Sequence, residues 1–173
     1  MNIELAYVGI YSYIVGTIPF GLLITKIFLN KDIREVGSGN IGATNVLRTG
    51  KKSLGIVTLL LDGLKAYISV KITINFFPDY VYLSALLCFL GHIFPIWLKF
   101  NGGKGIAVYL GILFALSIHL GFVFLFIWII VLYFTKYSSL SSLVSTLLIF
   151  CILIFVYEQT LAIQQTLHLV KNL

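Results

Sequence analysis

The chain has 173 residues, 60% of them apolar and only 10% charged, with a mean hydropathy of +1.04. A soluble domain of that length carries about 25% charged residues and has no core able to hide so much apolar surface. Disorder is excluded by the same hydrophobicity, and two cysteines, Cys88 and Cys151, are too few for a disulfide scaffold.

What remains is an all-α, polytopic integral membrane helical bundle, read as one domain over 1–173. The formal charge of +6 then belongs to loops beside lipid and not to a nucleic-acid surface. A bilayer core of about 30 Å takes roughly 20 mostly apolar helical residues to cross. The first such run is Leu5 to Phe28. Only Glu4, and no Lys or Arg, precedes it, so it does not read as a cleaved signal peptide. The second runs from Leu54 to Phe77 and is interrupted by Asp62, Lys65 and Lys71; the third is Val81 to Leu98. From Ile106 to Phe134 the sequence is apolar almost throughout. As one helix that stretch would be about 43 Å long, so it is expected to split near Ser117, His119 and Gly121. The last run is Leu140 to Tyr157.

Charge supports the split. With the acidic N-terminus outside, it puts Lys26, Lys31, Arg34, Arg48, Lys51, Lys52, Lys99, Lys104 and Lys136 on the cytoplasmic side, and Asp79 and Glu158 outside. Six spans are expected, with outer corners at Pro78-Asp79 and at Ser117–Gly121.

Two cytoplasmic loops then carry the chemistry. The first reads D-I-R-E-V-G-S-G-N-I-G-A-T-N-V-L-R, from Asp32 to Arg48. Gly37, Gly39 and Gly42 free the backbone to present N–H groups to an anion. Ser38, Asn40, Thr44 and Asn45 add short polar side chains, and Arg48 a planar fork suited to phosphate. The second loop ends Gly102-Gly103-Lys104-Gly105 just before an apolar run, where N–H groups and the helix's positive end coincide. It is not a Walker loop: Leu98 and Gly105 stand where Gly and Ser/Thr are required. Asp62 and Lys65 share one helix face, as an intramembrane ion pair or part of a site. His92 borders the second loop as a base, a donor or a capped polar residue. Ser138, Ser139, Ser141 and Ser142 follow Lys136 at the same membrane face. There is no zinc-spaced cluster, no paired carboxylates of glycosidase type and no nucleophile elbow. Such a site suits a substrate that brings its own leaving group.

The segments Gly16–Gly21, Val36–Arg48, Leu61–Lys65 and Gly91–Ala107 resemble, in order and spacing, the bacterial acyl-phosphate:glycerol-3-phosphate acyltransferases. That resemblance implies a membrane acyltransferase of seven spans in the bacterial inner membrane, its active site facing the cytoplasm. It implies transfer of a fatty acyl group from acyl phosphate to the 1-hydroxyl of sn-glycerol 3-phosphate, giving lysophosphatidic acid for phospholipid synthesis. Ser38 and Arg48 match the first family motif. Gly102, Gly103, Lys104 and Gly105 match the second, linked to glycerol 3-phosphate, and Ser139 or Ser142 corresponds to a pocket serine after the fifth span. The implied partners are the two phosphorylated substrates, membrane lipid and the soluble acyltransferase that makes acyl phosphate; no cofactor or metal is implied. Arg48, Lys104 and the loop N–H groups suit two phosphates, with the departing phosphate or His92 taking the proton.

The resemblance weakens at the tail. The family's third motif reads H-x-x-N-I-x-R-L-x-x-G-x-E, whereas His168 has Lys171 three residues on. The 16 residues from Glu158 to Leu173 are expected to be too short and polar to cross, as a diverged or truncated end. Rival readings are a catalytically impaired relative that acts as a membrane scaffold, and a small anion transporter. The second lacks the Gly/Pro-broken helix pair of a midplane site.

Overall fold

The computed structural model describes residues 3–171. Its helices are α1 (Ile3–Gly16), α2 (Phe20–Leu29), α3 (Ala43–Leu47), α4 (Lys52–Phe76), α5 (Val81–Ile93), α6 (Ile106–Leu116), α7 (Ile118–Thr135) and α8 (Ser138–Lys171), with short 3-10 turns between some of them. No strand occurs among the described residues. Two compact units divide the chain, Met1–Gly121 and Phe122–Leu173.

In the first unit, α4 lies against α5 and α6, and α1 runs along α5. The burial pattern of α4 is inverted relative to a soluble helix. Thr58, Asp62, Lys65, Ser69 and Thr73 are buried, while Leu59, Leu60, Leu64, Ile68 and Ile72 are exposed. The buried set recurs every three or four residues and so forms one face. Polar groups inside and apolar groups outside is the arrangement that a lipid solvent selects. The inner face is knit by hydroxyls: Ser12 Oγ donates to Ser84 Oγ at 2.8 Å, and the Tyr11 hydroxyl donates to the Ser69 carbonyl at 3.1 Å. Ala66, Val70, Ala85, Cys88, Val108 and Ile112 form the apolar layer beside it. A Cβ on Gly111 would strike the Gly63 carbonyl and one on Gly91 the Tyr13 carbonyl, so these small residues let the backbones approach.

The first apolar run is one span, as expected, but Pro19 interrupts its helix. This proline has no N–H to continue the helix, so α1 stops at Gly16 and α2 starts with Leu23 N–H donating to Pro19 O at 3.0 Å. The long run splits as expected, at Ser117, whose extended backbone (φ −156, ψ 123) closes α6. Its first product is only 11 residues, about 17 Å, too short to cross alone. Among the described residues five segments, not six, are therefore long and apolar enough to cross: Ile3–Leu29, Lys52–Phe76, Pro78–Leu98, Ile118–Thr135 and Ser138–Leu161.

The second unit consists mainly of α7 and α8. Trp128 Nε1 of α7 donates to Ser142 Oγ of α8 at 3.1 Å. α8 runs for 34 residues from Ser138 to Lys171, past Tyr157, where the last apolar run was expected to end. The segment after Tyr157 holds Glu, Gln, Leu and Ala and no Gly or Pro, so nothing stops the helix. The side chain of His168 lies outside the described residues.

Candidate active site

The connection from α2 to α4 is a built loop. Ile33, Ile41 and Val46 are buried beneath it against Leu22 of α2. Asn45, also buried, is its hub. Asn45 Nδ2 lies 3.0 Å from Ile33 O, 2.8 Å from Val36 O and 2.8 Å from Asn40 O, while Oδ1 accepts from Ser38 N–H at 3.1 Å and Ser38 Oγ at 3.3 Å. Gly37 adopts φ +56, and a Cβ there would sit 2.6 Å from Asn45 Oδ1 and 2.8 Å from Arg48 Cδ. Only glycine combines that left-handed backbone with that contact.

The loop's glycines serve its own turns. The N–H of Ser38 goes to Asn45, that of Gly39 to Val36 O at 3.0 Å and that of Gly42 to Asn40 Oδ1 at 2.9 Å. The N–H groups of Ser38, Gly39 and Gly42 therefore each have an internal acceptor. α6 differs: it starts after Gly105 without a side-chain cap, next to the exposed Lys104. The first-turn N–H groups of such a helix are donors for an anion.

The second loop folds back onto the end of α5. Gly102 N–H donates to Ile93 O and Gly103 N–H to His92 O, each at 3.0 Å, and Trp97 Nε1 reaches Thr17 O of the α1–α2 break at 3.1 Å. Lys99 and Phe100 are consecutive left-handed residues (φ 52 and 63), a costly backbone state for side chains with a Cβ. Between the loops lies a cleft of about 320 Å³, lined by Ser38, Gly39 and Asn40 on one side and by Ile93, Phe94, Phe100, Asn101, Gly102 and Gly103 on the other.

The structure thus brings Ser38 and Asn40 together with Gly102 and Gly103. Thr44 and Arg48 are exposed on or next to the short α3, and Arg48 reaches Asn45 Oδ1 only at 3.5 Å. Among the described residues neither Arg48 nor Lys104 is in an ion pair. Ser139 and Ser142 belong to the second unit; Ser139 is exposed and Ser142 is buried, donating to Ser138 O at 2.8 Å. Asn101 was not among the residues singled out from the sequence, although a polar residue directly before Gly102-Gly103 is the signal for it.

Behind the cleft, His92 is 4% exposed and joins the Asp62–Lys65 pair. Lys65 Nζ lies 2.8 Å from Asp62 Oδ1, donates to Ile18 O at 2.6 Å and lies 3.0 Å from His92 Nδ1. An ammonium only donates, so Nδ1 accepts and Nε2 carries the proton. The sequence places Asp62 and Lys65 on one face but does not reveal that His92 completes the group.

At the surface, Arg34 forms a fork on Asp32, with Nε to Oδ1 at 2.9 Å and a terminal nitrogen to Oδ2 at 2.6 Å, and Lys26 stands 3.8 Å away. The Arg34 hydrogen bond outweighs the opposing desolvation and holds the Asp32 carboxyl at about 2, below 3.8. Its stabilisation is therefore complete above pH 4 and lost as pH falls through about 2. Asp32→Asn is expected to lower stability near neutral pH by no more than about 1 kcal/mol, because the pair is solvent-screened. It is also expected to flatten the acid limb of the melting temperature between pH 4 and 2. An unchanged limb would remove this pair from the loop's stability.

Comparison with known proteins places these features. The sequence matches the glycerol-3-phosphate acyltransferase family over residues 6–171. It is 57% identical to the glycerol-3-phosphate acyltransferase of Pelagibacter ubique (strain HTCC1062) over 146 residues, 84% of this chain and 76% of that one. It is 46% identical to that of Ehrlichia canis (strain Jake) over 166 residues, 95% of this chain and 85% of that one. The fold is similar to the crystal structure of PlsY (YgiH), an integral membrane glycerol 3-phosphate acyltransferase, in its glycerol 3-phosphate form. The TM-score is 0.83 at 35% identity, covering 88% of this chain and 78% of that one. The lysophosphatidic acid form of that protein gives 0.81 at 33% identity, covering 88% and 77%. An inverted helix with polar groups inside, two glycine-rich loops sharing a cleft, and similarity along nearly the whole chain lead to one assignment: this integral membrane protein belongs to the glycerol-3-phosphate acyltransferase family.

Proposed function

We propose that the chain transfers a fatty acyl group from acyl phosphate to the 1-hydroxyl of sn-glycerol 3-phosphate, forming lysophosphatidic acid. The observation that carries this reading is the shared cleft, with Ser38 and Asn40 facing Gly102 and Gly103 and the unpaired cations Arg48 and Lys104 in the same two loops. Lys104 and the uncapped start of α6 hold the phosphate of glycerol 3-phosphate. Arg48 takes the phosphate of the donor, and the Ser38 hydroxyl offers that phosphate a hydrogen bond. Both cations are exposed and can reorient toward substrate.

An acyl phosphate is a mixed anhydride, so no enzyme nucleophile is required. The glycerol hydroxyl attacks the acyl carbon, the bond from that carbon to the phosphate oxygen breaks, and the departing phosphate takes the hydroxyl proton. Catalysis then comes from proximity and from cations that neutralise charge on the leaving phosphate. The apolar exposed faces of the spans keep the acyl chain in lipid while the phosphates stay in the loops. The cationic loops and Asp79 at the opposite corner support a cytoplasmic active site in the bacterial inner membrane. A soluble enzyme at that face delivers the acyl phosphate.

The test uses the full chain in proteoliposomes with palmitoyl phosphate and labelled glycerol 3-phosphate. Lysophosphatidic acid is expected from palmitoyl phosphate and not from palmitoyl-CoA. Lys104→Ala is expected to raise KM for glycerol 3-phosphate by about tenfold or more, the worth of a charged hydrogen bond. No product from folded, inserted protein would overturn the reading.

A further inference from the structure

We infer that Lys65 is a positioning residue for the Gly102–Gly105 loop, acting through His92. This rests on the proposed role of that loop in holding the glycerol 3-phosphate phosphate.

Lys65 is the one buried Lys or Arg among the described residues. An ion pair within α4 would be complete with Asp62 alone. Lys65 Nζ instead meets three elements: it pairs with Asp62 Oδ1 in α4 at 2.8 Å, a contact without hydrogen-bond geometry, donates to Ile18 O in the α1–α2 break at 2.6 Å, and lies 3.0 Å from His92 Nδ1 in α5. Pro19 sets up the second contact, because the break there leaves Ile18 O outside a regular helix ladder. The third contact fixes the plane of the imidazole.

The other side of that ring is the loop. A Cβ on Gly103 would lie 2.7 Å from His92 Cε1 and 2.9 Å from Cδ2, and closest of all to Nε2. The Gly103 backbone therefore passes close to the Nε2 edge of the ring, while its N–H is held by the His92 carbonyl at 3.0 Å. His92 thus grips Gly103 with both side chain and main chain, and Lys65 decides where the side chain is. Lys104 follows directly, so the position of its backbone is inherited from this contact. A buried charge far from the cleft in sequence sets the geometry of the phosphate loop without touching substrate.

This arrangement predicts a particular kinetic signature. Lys65→Met is expected to raise KM for glycerol 3-phosphate between ten- and a hundredfold, through loss of loop placement. It should leave kcat and the KM for palmitoyl phosphate within about threefold, since chemistry and donor binding do not use this contact. If Lys65→Met fails to fold, two variants that leave the ion pair intact decide. His92→Asn puts an amide oxygen where Nδ1 was and keeps an acceptor for Lys65, whereas His92→Gln puts its amide where Nε2 was. His92→Asn is expected to hold KM for glycerol 3-phosphate closer to the parent value than His92→Gln. Equal loss of kcat in both, with KM unchanged, would overturn the inference and make His92 a proton-transfer group. A parent-like KM in folded Lys65→Met would overturn it as well. Lys104→Ala separates the two levels. If that variant binds glycerol 3-phosphate normally, the site reading itself falls. If it is impaired and the Lys65 and His92 variants are not, only the positioning role falls.

Discussion

Gly103→Ala is expected to lower kcat/KM for glycerol 3-phosphate on the order of a hundredfold, the scale of an ångström-sized misplacement of a binding loop. The added methyl has no space, because it would lie on the His92 ring. That ring cannot turn aside cheaply: Nδ1 is held by Lys65, and rotating it would leave one N–H of a buried ammonium without its acceptor. The strain falls on the loop, which must lift from α5 and give up the bonds from Gly102 and Gly103 to Ile93 O and His92 O. The spans do not depend on that loop, so the melting temperature in detergent should move little. Initial rates against both substrates, with the melt as control, check this. Parent-like rates would mean that the loop is free to sit elsewhere.

The second large effect is expected at Asn45, and on structure before rate. Asn45→Asp replaces a donor amide by an acceptor among the carbonyls of Ile33, Val36 and Asn40, all within 3.0 Å of Asn45 Nδ2. The buried carboxylate would have only Arg48, 3.5 Å from the present Oδ1, as a partial counter-charge, and costs about 3 kcal/mol. The loop from α2 to α4 should open, exposing Ile33, Ile41 and Val46, while the spans stay inserted. Limited proteolysis should then cut within residues 31–51 in the variant but not in the parent, and acyl transfer should be lost with it. Asn45→Ala should have the milder version of both effects, since it leaves orphan groups but adds no charge. If Asn45→Asp resists the protease as the parent does, Asn45 is not the hub.

These two residues mark where the sequence is readable and where it is not. The membrane class, the split at Ser117 and the two chemical loops follow from local quantities: run length, loop charge and glycine density. The break at Pro19 had a local signal too, a proline inside an apolar run, whose effect was masked by hydrophobicity continuing on both sides. α6 has the composition of a span but not the length, and only the backbone angle at Ser117 fixes where it stops. The inward role of Asn45 is not legible in the sequence, because an amide in a polar loop looks the same whether it faces outward or inward. Ile33, Ile41 and Val46 beneath it were the clue that the loop has a core of its own. His92 and Lys65 are 27 positions apart, and no periodicity connects them; that contact exists only once α4 and α5 are packed.

The spacing of Asp62 and Lys65 also matters for biogenesis. An isolated charge at the centre of a segment raises its insertion cost by roughly 2.5–3.5 kcal/mol. These two are three residues apart on one helix, with Nζ and Oδ1 at 2.8 Å, so they enter lipid as a neutral couple before α5 has arrived. Ile18 O, synthesised earlier, and His92, synthesised later, then compete with no water for the remaining protons of the ammonium. Assembly of the first unit is therefore selective for the one docking of α1, α4 and α5 that supplies both acceptors, and a misregistered helix would leave an ammonium N–H without an acceptor in the bilayer.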